Sequence, residues 1–100
     1  MSGGFRLTPR AVEDLRKIGR YTLARWGREQ RDDYLRALDA RFGWLAQNPQ
    51  RGSQRVDLAT DYYSFAQGAH LIVYLIGGDG IEIIGVPHQS MDIPGQFDDE

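Results

Sequence analysis

Residues 62–86 read YYSFAQGAHLIVYLIGGDGIEIIGV, and this stretch decides the fold. Three runs in it have strand composition: Tyr62 to Gln67, His70 to Ile76, which is rich in Ile, Val, Tyr and Leu, and Ile81 to Val86. The breaks between them, Gly68-Ala69 and Gly77-Gly78-Asp79-Gly80, have the length and glycine content of hairpin connections. The pattern predicts a three-stranded antiparallel meander. A sheet this small is not stable alone, so one of its faces must be covered by other elements.

The covering elements are legible upstream. Thr8 has the side chain of a helix N-cap, and Pro9 suits the first helical position, where a missing N–H costs nothing. Val12, Leu15, Ile18 and Thr22 follow at helical spacing, with Ala11 and Trp26 on the same side. Gly27 fits a C′ residue in the left-handed conformation. A second helix is predicted from about Glu29 to Gln47, with a buried face of Tyr34, Leu35, Leu38, Phe42 and Leu45. Asn48-Pro49 ends it, because a residue before proline avoids the α region. Glu13 with Lys17 and Asp32 with Arg36 have the spacing of exposed ion pairs. So short a connection makes the two helices an antiparallel hairpin. Gly19 inside the first helix costs about 1 kcal/mol relative to Ala unless close packing requires it. Of the aromatics on or near the helices, Tyr21, Trp26 and Tyr34 are expected in the core or half-buried, whereas Trp44 falls off the main apolar face. Phe5-Arg6-Leu7 is a short strand candidate that can join the sheet, residues 50–61 read as loop, and Asp98-Asp99-Glu100 reads as a frayed tail. The sum is one α+β domain over residues 1–100, a helical hairpin packed on a small antiparallel sheet in the order β-α-α-β-β-β.

Composition narrows the function classes. The chain has no cysteine, so no disulfide framework and no thiolate metal site is expected. No apolar run approaches the length of a membrane span, and the start Met-Ser-Gly-Gly-Phe-Arg lacks a signal-peptide core, so a cytoplasmic protein is expected. The formal net charge of −2 hides an asymmetry. All 12 basic residues lie at or before Arg55, among only six acids, while the remaining residues hold eight acids and no Lys or Arg. A two-signed chain suits charge-guided association with a partner.

Downstream of the meander the chain breaks at Pro87 and enters His88-Gln89-Ser90-Met91-Asp92. His88 reads first as a hydrogen-bonded residue that closes the last strand. A metal shared by His88 and Asp92, with His70 or Asp61 nearby, has no ligand-rich spacing behind it, so neither metal nor cofactor is expected. The cluster resembles the end of the last strand in ParE toxins of the RelE/ParE superfamily. Further pieces are similar to that family in the same order: Ala-Val-Glu-Asp-Leu-Arg-Lys-Ile (11–18), Trp-Gly-Arg-Glu-Gln (26–30), Leu-Ala-Gln-Asn-Pro (45–49) and Gly-Ala-His-Leu-Ile-Val-Tyr (68–74). The resemblance runs from Leu7 to Asp92.

That resemblance implies the toxin half of a type II toxin–antitoxin module, held inactive by a ParD-like antitoxin in a hetero-oligomer and poisoning DNA gyrase when free. It also implies no catalytic residue, and since the helical arginines are interleaved with acids and form no dense patch, no direct nucleic-acid binding is expected. The alternatives are a RelE-like ribosome-dependent endoribonuclease of messenger RNA and a degenerate toxin that only binds its antitoxin. Against the nuclease, metal-free phosphodiester cleavage needs cationic donors, and the sheet half has no Lys or Arg. Relatives often carry arginine where this chain has Tyr63, Leu75 and Gly85, so weakened toxicity is expected. The antitoxin or target contact is expected at Trp26, Arg16, Arg20, Tyr62, Tyr63, Phe65, His88, Gln89, Met91 and Asp92, with an antitoxin arm of mixed charge.

Overall fold

Thr8 joins the two layers of the molecule. Its hydroxyl accepts from the Ala11 N–H (3.1 Å), capping helix α1 (Pro9–Trp26), and donates to the Ile84 carbonyl (2.8 Å). Its own N–H donates to the Ile83 carbonyl, so one residue fixes where strand β1 (Phe5–Leu7) ends against strand β5 (Ile81–Gly85) and where the helix starts. The computed structural model describes residues 4–55 and 62–90. Helix α2 (Arg28–Gln47) follows α1 after Gly27 alone. A 3-10 turn at Pro49–Arg51 leads to β2 (Ser53–Gln54), then β3 (Tyr63–Gln67), β4 (His70–Ile76) and β5.

The sheet has the order β1-β5-β4-β3-β2. The β3-β4-β5 meander is antiparallel as expected, but β1 runs parallel to β5, in the register Phe5 to Ile81 and Leu7 to Ile83. The sheet is therefore mixed and five-stranded, not a purely antiparallel sheet of three or four strands. Parallel neighbours need a long crossover, and here the helical hairpin and the strands β2 to β4 lie between β1 and β5 in the chain. The two-residue β2, inside the segment expected to be loop, pairs antiparallel with β3.

Alternation along the strands sorts the side chains into two faces. Ile72, Tyr74, Ile81, Ile83 and Val86 meet Ala11, Ile18, Leu38, Phe42 and Leu45 from the helices. Phe5 stands edge-on to Phe42 with ring centroids 5.4 Å apart. The opposite face holds Tyr62 and Val73, with Leu71, Leu75 and Ile84 around them. A register shift at Val73/Tyr74 lets both Ile83 and Val86 reach the helical side. Gly27 has φ 96° and ψ 174°, a positive-φ extended conformation and not the left-handed helical one expected; it suits a joint between two helices that only glycine makes without strain. Gly68, at φ 58° in the β3–β4 turn, is also held by space, since a Cβ there would strike the Tyr34 ring.

Candidate functional site

A groove of about 1070 Å³ opens between α1 and the end of the sheet where β4 begins and β5 ends. Its floor includes Ile18, Thr22 and Val86, and its rim carries Tyr21 and Trp26. Both rim aromatics are well exposed, Tyr21 63% and Trp26 60%. They were expected near the core; the apolar stripe of α1 instead turns out to end at Thr22. Tyr34 is half-buried as expected, with its hydroxyl at the groove wall.

The far wall is a small polar network. The Tyr34 hydroxyl accepts from the Ala69 N–H (3.2 Å), lies 3.2 Å from the Gln67 carbonyl and 2.7 Å from Nδ1 of His70. His70 and His88, the chain's two histidines, form an isolated β-bridge and stand edge to face with centroids 5.3 Å apart. Burial, and then the neighbouring His88, push the His70 imidazole below its ordinary value, with Asp14 opposing the shift. His88 is exposed and its Nδ1 accepts from the Ser90 N–H (3.1 Å), which ties it to the chain's own backbone. Gln89 closes the β3–β4 turn: its N–H donates to the Ala69 carbonyl (2.9 Å) and its amide to the Gly68 carbonyl (2.8 Å).

Arg10, Lys17, Glu13 and Asp14 of α1 line the same groove. The fold thus brings two cations to the histidine end of a sheet whose β3–β5 meander has none of its own, which the linear charge pattern concealed. Two carboxylates accompany them and cancel the formal charge. Asp14 is further committed to structure, accepting from the Val86 N–H at 2.9 Å. The expected Glu13–Lys17 pair is replaced by Glu13 with Arg16 (3.7 Å) and Arg20 (3.6 Å). Asp33 (3.0 Å), not Asp32, pairs with Arg36.

The other expected contact residues fall elsewhere. Arg16 and Arg20 are exposed on α1, and Tyr62 is buried on the sheet face away from the helices. Tyr63 stacks on Tyr74 with ring centroids 5.7 Å apart, and Phe65 packs against Trp44 at the α2–β3 seam. Met91 and Asp92 lie outside the described residues, as does Asp61. The three positions where arginine is common in relatives do not form one exposed surface: Tyr63 faces the helices, Leu75 belongs to the opposite cluster, and Gly85 is buried. Among the described residues no three His, Asp or Glu side chains group as a metal site. Sequence reading missed the Tyr34–His70 contact, which joins residues 36 apart and leaves no local signal.

Residues 5–93 match the family model described as the ParE toxin of the type II toxin–antitoxin system parDE. A relative named Toxin ParE1 from Caulobacter vibrioides is 41% identical over 88 residues, 88% of this chain and 91% of its own. Another Toxin ParE1, from Mycobacterium tuberculosis, is 34% identical over 94 residues, 93% of this chain and 96% of its own. A solved structure of a chromosomal ParDE system from P. aeruginosa superposes with a TM-score of 0.74 at 16% identity, over 86% of this chain and 95% of the other, a likeness of fold.

Proposed function

This chain belongs to the family of ParE toxins of type II toxin–antitoxin systems, and on that premise we propose how it is silenced and how it acts. A ParD-type antitoxin silences it by filling the groove between α1 and the His70–His88 end of the sheet. The free toxin binds DNA gyrase and stops it without breaking any bond. The proposal carries a cytoplasmic location with it, where its partners are. No helix among the described residues is long and apolar enough to cross a membrane.

The observation that carries the antitoxin reading is the pair of exposed aromatics, Tyr21 and Trp26, over the Ile18, Thr22 and Val86 floor. Large aromatics beside an apolar concavity are the side chains that dominate binding energy once a partner covers them. The charge balance supports binding over cleavage. Phosphodiester cleavage needs a surplus of positive charge where the phosphorane forms. Here Arg10 and Lys17 face Glu13 and Asp14. The lowered pKa of His70 keeps it neutral at physiological pH.

Induced expression tests both halves. Wild-type toxin is expected to arrest growth, relax plasmid DNA and leave messenger RNA intact, and co-expressed antitoxin is expected to restore growth. Tyr21→Ala/Trp26→Ala is expected to escape the antitoxin in the same assay. New 5′ ends inside translated codons would overturn the binding mechanism, and full neutralisation of the double variant would overturn the groove as the antitoxin seat.

A further inference from the structure

A second cluster lies at the seam of α2 and β3. The Arg41 guanidinium carbon is 4.7 Å from the Trp44 ring centroid and 5.0 Å from that of Phe65. The two rings are 5.4 Å apart and tilted by 58°, so the cation sits against both. Its Nε donates to the Gln67 amide oxygen at 2.9 Å. Trp44 remains 37% exposed and Arg41 itself is half-buried.

Arg41 differs from the other half-buried arginines of the helices: Arg10 meets Asp14 and Arg31 meets Asp32. Among the exposed ones, Arg16 and Arg20 share Glu13 and Arg36 meets Asp33, while Arg25 and Arg28 have no carboxylate partner among the described residues but stand in solvent. Arg41 has no carboxylate partner among the described residues; its one hydrogen bond is to a neutral amide. A guanidinium against two rings has given up part of its hydration, and a half-buried charge without a counter-ion is costly until one arrives. With Nε engaged, the two terminal nitrogens have no hydrogen-bond partner among the described residues. They form the fork that matches a carboxylate, already oriented, so little rotamer freedom is lost on binding.

We infer that Arg41, packed against Trp44 and Phe65, receives an aspartate or glutamate from the same antitoxin arm that fills the groove. The inference rests on the antitoxin reading above. Arg41 lies just beyond the wall that ends the groove. Tyr34 on the groove wall hydrogen-bonds at the Gln67 backbone, while the Gln67 side chain holds Arg41. Tyr34 and Arg41 lie two turns apart on α2, roughly 10 Å at the helical rise, which three or four extended residues span. The acid is therefore expected three or four residues beyond the segment that occupies the groove.

The test is the affinity of purified toxin for its cognate antitoxin, with circular dichroism as the control for folding. Arg41→Gln is expected to weaken binding by roughly ten- to a hundredfold, the usual effect of losing a hydrogen bond to a charged group. Arg41→Lys recovers only part of this, since an ammonium keeps the charge but not the fork. Arg41→Glu is rescued by one charge reversal among the acids of the antitoxin arm. Wild-type affinity of folded Arg41→Gln, with Trp26→Ala still weakened, overturns the Arg41 assignment and leaves the groove reading intact. Unchanged affinity in both overturns both. Failure of every arm reversal to rescue Arg41→Glu overturns the assignment, as does Arg41-dependent binding of nucleic acid with antitoxin affinity unchanged.

Discussion

His70 is the residue whose surroundings make the clearest pH statement. Tyr34 from α2 lies on its Nδ1, His88 faces its ring, and among the described residues Asp14 from α1 is the carboxylate that favours its charged form. Burial wins, so the folded-state pKa lies below the ordinary 6.5. A depressed pKa means that the neutral form is the one the fold prefers. Its stabilisation is whole above 6.5 and is lost as pH falls from there through the lower folded value. Denaturant midpoints measured from about pH 7.5 downward are expected to fall more steeply for wild type than for His70→Gln once pH drops below about 6.5. Coincident slopes would show that the imidazole titrates as if free. Trp26 and His88, both expected as contact residues, line the groove. Tyr62, expected with them, is buried on the other face of the sheet, and that placement depends on a register that residue order alone does not reveal.

Among the elements, the 3-10 turn after α2 shows how a short segment is tied down. The Tyr74 hydroxyl, buried in the core, donates to the Pro49 carbonyl at 2.8 Å and accepts from the Gly52 N–H at 3.0 Å. Burial raises the Tyr74 pKa, which keeps the donor protonated. Gly52 has no Cβ because one would strike that hydroxyl. Tyr74→Phe strands both backbone groups and is expected to cost about 1–3 kcal/mol, read as a drop in urea midpoint. A change below about 0.5 kcal/mol, the range of surface substitutions, would mean that water replaces the hydroxyl without penalty. Helix ends were legible because their signals are local: Thr8 and Pro9 at one start, Asn48-Pro49 at one stop. The parallel β1–β5 pairing was not, because it rests on Thr8 bonding to Ile83 and Ile84, some 76 residues away. β2, only two residues long, was too short for any periodicity to announce it.

At the scale of the whole molecule, folding rearranges a charge pattern that is split along the chain. The helices carry their cations to the sheet's histidine end, but Glu13 and Asp14 arrive with Arg10 and Lys17, so the groove gains no net positive field. A groove of that kind suits a partner of mixed charge that buries Tyr21 and Trp26, and it is poorly suited to gripping RNA phosphates. Family membership identifies a toxin; the charge balance is what argues that it works by occupancy. A binder and an enzyme differ in stoichiometry. The most direct measurement is therefore a titration of purified toxin into a DNA-supercoiling reaction by purified gyrase, with ribosome-bound messenger RNA assayed in parallel. The account predicts that supercoiling falls in proportion to toxin until roughly one toxin per gyrase site, that added antitoxin reverses the block, and that the RNA stays whole. Undiminished supercoiling at large excess of folded toxin, with RNA cut at amounts far below those of the ribosomes, would contradict it.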